Sequence, residues 1–223
     1  MNSSGNFQLT SFFRFRYVAF VILVINHLVG VTGLNIPAWR VYFEELSALN
    51  LVLSFLLVMF FCQPLNRNLG LFCLISFMVG MTAEIVGVNT GYPFGVYHYT
   101  KTLGPLIAGV PVIIGLNWVL LSYVTAVVAG NFFKSPWQTA IVASLLMVGI
   151  DLLLEGFAIR HNFWVWANPT PPLQNYLSWF LVSFIIQMVF QRTIPYSKNS
   201  NAIPYILVLL LFLVTDLFFS LRY

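Results

Sequence analysis

The sequence predicts an all-α fold, a polytopic membrane bundle of about seven transmembrane helices. Of its 223 residues 60% are hydrophobic and only 7% charged, too little polar surface for a chain dissolved in water. The apolar residues run in unbroken stretches of about 20, the length that crosses a hydrocarbon core of about 30 Å. These stretches lack the alternation at every second residue that marks a membrane β-barrel.

The spans are expected near 15–33, 46–62, 69–88, 105–130, 137–157, 173–192 and 203–221. The first follows Arg14 and Arg16 like a signal peptide, but it contains Asn26 and His27 and is long for one, so it reads as an uncleaved helix. Glu44 and Glu45 open the second span, and Glu84 lies about a turn before the end of the third. The fourth carries Asn117 and Trp118, the fifth Asp151 and Glu155, the sixth Asn175 and Trp179, and the seventh Asp216. No polar linker is long enough to separate soluble domains, so residues 1–223 are expected to form a single transmembrane domain.

The net charge of +4 is scattered singly through the loops, which excludes a nucleic-acid footprint and reads as topology and lipid-headgroup contact. With a cytoplasmic N-terminus, that side holds Arg14, Arg16, Arg67, Lys134, Arg192 and Lys198 against Arg40, Lys101, Arg160 and Arg222 opposite, a small positive-inside bias for that orientation. Cys62 and Cys73 flank a short turn without a second Cys pair or a His nearby, which points to reduced packing residues and to neither a metal site nor a disulfide.

An odd number of spans places the 34–45, 89–104 and 158–172 loops on one face. All three are dense in aromatics, glycine, proline and hydrogen-bonding groups, whereas 63–68, 131–136 and 193–202 read as plain turns. The alternating helix directions put all six carboxylates in the half of the bilayer next to the aromatic loops. Intramembrane acids default to a functional reading. Asp151 and Glu155 are four residues apart and share a helix face; in a low dielectric they do not both ionise, which leaves a proton donor near neutrality. Glu84, Asp151 and Glu155 lead directly into the unusual loops. Asp216, Glu44 and Glu45 have equally plain structural readings as packing or interfacial acids. His27 suits either pairing with an acid or donation to a carbonyl across the bundle. The pairs Asn117/Trp118 and Asn175/Trp179 read either as an amide that orients water with a ring that faces a cation, or as interhelical glue.

The stretch from Glu84 to Trp118 resembles the integral-membrane carotenoid hydratases of the CruF type. That family includes bisanhydrobacterioruberin hydratases and hydratases acting on lycopene and γ-carotene ends. The resemblance rests on Glu84, then Thr90, Gly91, Pro93, Phe94, Gly95, Tyr97 and Tyr99, then Leu103, Gly104, Gly109, Val110, Pro111 and Trp118. A second stretch is similar through Asp151, Trp164, Trp166, Pro172, Leu173, Asn175 and Trp179. Departures are local: Glu155-Gly156 stands where the family has Asp-Pro, Asn168-Pro169-Thr170-Pro171 where it has a Gly-containing aromatic turn, and Ser178 where it has Gly.

The resemblance implies a cofactor-independent hydro-lyase of carotenoid biosynthesis, without a metal, in a bacterial or archaeal cell membrane. Its partners would be an acyclic-end carotenoid, water and lipid, with other carotenoid enzymes as candidates and no nucleic acid. Acid-catalysed hydration protonates C2 of the terminal double bond and delivers water to the tertiary cation at C1. It needs a carboxylic acid kept protonated by an apolar setting and rings or a carboxylate beside the cation. Asp151, Glu155 or Glu84 would donate the proton, with Asp151 the first choice and Glu84 its partner; Tyr97, Tyr99, Trp164 and Trp166 would flank the cation, and Asn89, His98 or Asn175 would position water. A small membrane lycopene cyclase is the nearest rival, since it differs only in what captures the cation; a lipid or ion transporter would reuse the acids without chemistry. A retinal protein is disfavoured because Lys101, Lys134 and Lys198 all lie in or beside loops, and a prenyl transferase because paired Asp-rich Mg²⁺ motifs are missing.

Overall fold

The computed structural model describes the backbone of residues 3–195 and 197–221, and side chains from Phe15 onward. Arg14's side chain and Arg222, both counted above for orientation, lie outside the described residues. Seven helices run through the described chain: α1 Ser3–Asn35, α2 Arg40–Met59, α3 Arg67–Thr90, α4 Val112–Phe132, α5 Pro136–Arg160, α6 Leu173–Thr193 and α7 Ala202–Ser220. Each contains a segment long and apolar enough to cross a membrane. The fold is an all-α, multi-pass membrane bundle.

Local chemistry sets the helix ends. The Asn66 side chain accepts a hydrogen bond from the Leu69 amide at 3.0 Å and caps α3. Pro136 occupies the first turn of α5, where its missing N–H costs nothing. Helix α4 begins at Val112 and not near 105, because Leu106–Ile107 (β2) and Val110–Pro111 (β3) pair as a tight hairpin. Its two turn residues, Ala108 at φ 48° and Gly109 at φ 88°, adopt the left-handed conformation that a two-residue hairpin requires. Helix α2 starts earlier than expected, at Arg40, and α5 runs on to Arg160.

Helix α4 is the axle. Its span is 78% buried inside the protein, while the other spans turn more of their surface outward. On one side it packs with α3, α5 and α6, and on the other with α2 and α7, which α1 completes. Core side chains such as Phe72, Trp118, Leu120, Tyr123 and Met147 are sealed between these layers. Leu49, Leu181 and Leu211, each 60% or more exposed, face outward, where lipid makes apolar exposure inexpensive.

Two small pairings stitch the loop faces. On the carboxylate side Tyr97–Tyr99 (β1) pairs antiparallel with Trp164–Trp166 (β4), in register Tyr97 with Trp166 and Tyr99 with Trp164. On the opposite face Gln63 and Lys198 exchange backbone hydrogen bonds of 3.0 and 2.9 Å, joining two of the turns. Cys62 and Cys73 are free thiols. The Tyr123 hydroxyl donates to Cys62 Sγ at 2.9 Å.

Candidate active site

In a strand, alternate side chains point to opposite faces. Tyr-x-Tyr in β1 and Trp-x-Trp in β4 therefore present four aromatic rings to one side, and His98 and Val165 to the other. The inward side is the bundle. Tyr97 and Tyr99 are buried, whereas His98 is exposed. The ladder runs beyond the named strands through Thr100 N–H to Phe163 O and Ala167 N–H to Val96 O.

The turn leading into β1 explains the glycine-rich motif. Gly95 has φ 122°, and a Cβ on it would stand 2.8 Å from Pro172 and 3.1 Å from the Trp166 ring, so only glycine fits. Helix α6 holds this turn: Gln174 Nε2 and Ser178 Oγ both donate to Pro93 O at 2.7 Å.

Under the aromatic sheet lie three buried carboxyls, each 4% exposed or less. Glu84 accepts from the Tyr97 and Tyr99 hydroxyls at 2.5 and 2.9 Å on one oxygen and from the Trp118 indole at 3.1 Å on the other. Glu155 accepts from the Trp164 and Trp166 indoles at 3.0 and 2.8 Å on one oxygen and from the Asn175 amide at 3.1 Å on the other. The two tyrosines of one strand thus serve one glutamate, and the two tryptophans of its partner strand serve the other. Burial, then the neighbouring Glu84 charge, pushes the Tyr97 and Tyr99 hydroxyls far above the ordinary phenol range, so both remain O–H donors.

Asp151 differs. Its Oδ2 accepts from Asn175 Nδ2 at 3.1 Å, but its Oδ1 is buried without a hydrogen-bond partner among the described residues. It lies within electrostatic range of both Glu155 and Glu84. Trp118 and Trp179 stack beside the cluster with centroids 4.2 Å apart and planes 20° apart. Gly80 lets them sit there, because a Cβ on it would overlap the Trp118 ring.

Ten residues expected at a site converge here: Glu84, Tyr97, Tyr99, Trp118, Asp151, Glu155, Trp164, Trp166, Asn175 and Trp179. Four stand elsewhere. His98 is on the outer side of β1. Asn89 is exposed and donates to Ile85 O and Ala108 O, tying α3 to the β2–β3 turn. His27 and Asn117 line a cavity beside the carboxyl cluster, and His27 Nδ1 pairs with Leu23 O at 2.8 Å.

A second polar cluster was hidden in the sequence. Asp216 accepts from Arg160, from His161 Nε2 at 2.9 Å and from Asn35 at 3.1 Å, and His161 Nδ1 pairs with Glu44 at 3.3 Å. It clamps α1, α2, α5 and α7 together on the aromatic-loop side. The Arg160-His161 pair ending the acid-bearing helix was the available signal, but it lay within the aromatic 158–172 loop and carried no separate expectation.

The family described as carotenoid biosynthesis protein matches residues 46–221, a range that holds all three buried carboxyls and both aromatic strands. A bisanhydrobacterioruberin hydratase of Haloarcula japonica is 28% identical over 134 residues, 56% of this chain and 45% of that protein; the match spans less than half of the relative's length. No solved structure matches the chain. With the family profile covering all but the first helix and part of the second, the chain belongs to the carotenoid biosynthesis protein family.

Proposed function

We propose that this protein hydrates the terminal C1,C2 double bond of an acyclic carotenoid end group, giving a tertiary 1-hydroxy carotenoid. The observation that carries this reading is the unequal hydrogen bonding of Asp151 and Glu155. Every donor on Glu155 is an N–H, and an indole N–H cannot accept a proton in return. Glu155 is therefore built to be a carboxylate. Asp151 Oδ1 meets no donor among the described residues, which makes it the natural seat of a transferable proton.

In the reaction Asp151 gives that proton to C2, forming the C2–H bond from the π electrons and leaving a tertiary cation at C1. The Glu155 carboxylate and the surrounding indole and phenol rings lower the cost of that charge in a water-poor site. A water oxygen then bonds to C1, and the proton it loses returns to Asp151. Atoms and electrons balance with one water consumed and no redox partner. Glu84, fixed by three donors, holds Trp118 and the two tyrosines in place and adds a second negative charge near the cation. The relative's name, a carotenoid hydratase, agrees with this chemistry.

The test is expression in a host that accumulates lycopene or γ-carotene, followed by mass analysis of the pigment. Pigment heavier by one or two waters is the expected result. An isomer of unchanged mass would instead mean that an internal double bond captures the cation, as in a cyclase, and unaltered pigment would refute the reading.

A further inference from the structure

Beside the carboxyl cluster, and lined by none of its acids, is a cavity of about 340 Å³ enclosed by α1, α2, α4, α5 and α7. Two of its properties set it apart from an ordinary packing defect. It opens sideways: Val29, Leu46 and Leu49 line it and are 52%, 48% and 62% exposed on the surface that faces lipid. It also ends at the active site. Trp164 forms part of its wall, and the same indole donates its N–H to Glu155. The Trp164 side chain thus touches both the apolar chamber and a buried carboxyl.

His27 and Phe212 line it and also a second cavity of about 340 Å³ between α1 and α7, so these two packed rings stand between the two spaces. The lining is rich in ring faces and edges, with His27 set edge-on to Phe212 at 5.5 Å between centroids. Its few polar groups are largely engaged: the Asn26 amide donates to Asn50, and His27 Nδ1 is paired with Leu23 O. An apolar, unsaturated chain entering from the lipid side suits this lining. A saturated lipid tail would suit the apolar walls equally, but it has no reason to terminate against the indole that holds a catalytic glutamate.

We infer that this cavity seats the polyene length of the substrate, and that Trp164 is the partition its end group passes to reach Asp151 and Glu155. The inference rests on the proposed hydration, and it assigns the substrate path to α1, α2 and α7, helices that carry none of the three acids.

The test uses the purified full chain in detergent with lycopene, reading pigment bound per protein by visible absorption alongside turnover. Ser47→Phe and Gly30→Leu each fill the cavity away from the acids and are expected to lower bound pigment about tenfold or more. Leu146→Phe, in a separate surface groove between α4, α5 and α7, leaves binding unchanged. Asp151→Asn keeps pigment bound and loses turnover. Parental binding by both cavity-filling variants overturns the inference. Should those variants fail to fold, Ser47→Cys provides a gentler reading: bound lycopene slows its alkylation by a maleimide, measured above the background of the native thiols. Equal alkylation with and without pigment, or equal slowing by phospholipid alone, overturns it too. If cavity variants lose pigment yet no pigment ever gains water, the cavity stands and the hydration reading falls.

Discussion

Replacing each buried carboxyl by its amide separates the three acids, because an amide keeps the shape but turns one acceptor oxygen into a donor. At Glu155 both oxygens face N–H donors: two indoles on one side and the Asn175 amide on the other. Glu155→Gln must therefore point its NH₂ at a donor whichever way it rotates. It loses charge-assisted hydrogen bonds and leaves at least one buried N–H unpaired, a cost of about 2–5 kcal/mol. At Glu84 the amide oxygen can face Trp118 while the NH₂ faces the Tyr97 and Tyr99 hydroxyls, which can turn to accept. Glu84→Gln should cost about 1 kcal/mol. At Asp151 the NH₂ takes the place of the unpaired O–H of the protonated acid at Oδ1, so Asp151→Asn should cost no more than about 1–3 kcal/mol and still fold. It nevertheless removes the proposed proton donor, and the expected loss of turnover is about 10²–10⁴-fold, or about 3–5 kcal/mol of transition-state stabilisation. Thermal unfolding in detergent and lycopene turnover measure the two effects separately. A parental melting temperature for Glu155→Gln would refute the assignment of donors and acceptors, and full turnover by folded Asp151→Asn would remove it as the acid.

Other consequences are narrower. Gly80→Val drives a side chain into the Trp118 ring, so it should cost about 1–3 kcal/mol and alter tryptophan fluorescence by disturbing the Trp118–Trp179 stack; unchanged emission and stability would refute that packing. Asp216→Asn weakens the clamp on Arg160 and His161 and should cost about 1–3 kcal/mol, with turnover per folded molecule retained because Asp216 touches none of the three carboxyls under the aromatic sheet. His98→Ala, on the exposed side of β1, should change stability by less than about 0.5 kcal/mol and leave turnover intact; a large loss would mean that His98 reaches the substrate.

The polar half of the bundle was legible in advance for a simple reason. Helices that span a bilayer alternate in direction, so the position of an acid along its own span tells which half it occupies. Glu84 near the end of α3 and Asp151 and Glu155 near the end of α5 had to meet at one level. The strands were not legible, because two runs of three residues, Tyr97–Tyr99 and Trp164–Trp166, are too short to show a period and each needs the other to form. The start of α4 was misplaced for a related reason: Leu106, Ile107 and Val110 are as apolar as the helix after them, and only the backbone of Ala108 and Gly109 reveals the hairpin. His161 escaped notice because its partners, Glu44 and Asp216, are distant in sequence and join it only when α2, α5 and α7 pack.

Seven apolar spans, six acids on one side and aromatic loops above them follow from residue order alone, since length, hydropathy and helix direction act locally or one span at a time. How the acids differ emerges only when the helices pack. Hydrogen-bond partners come from other elements, so which glutamate receives tyrosines, which receives tryptophans, and which aspartate oxygen is left without a partner depends on the pairing of β1 with β4 and the approach of α6. The same packing sets a lipid-facing chamber against the far side of Trp164, a juxtaposition of α1, α2 and α7 with an acid centre built almost entirely by the other helices.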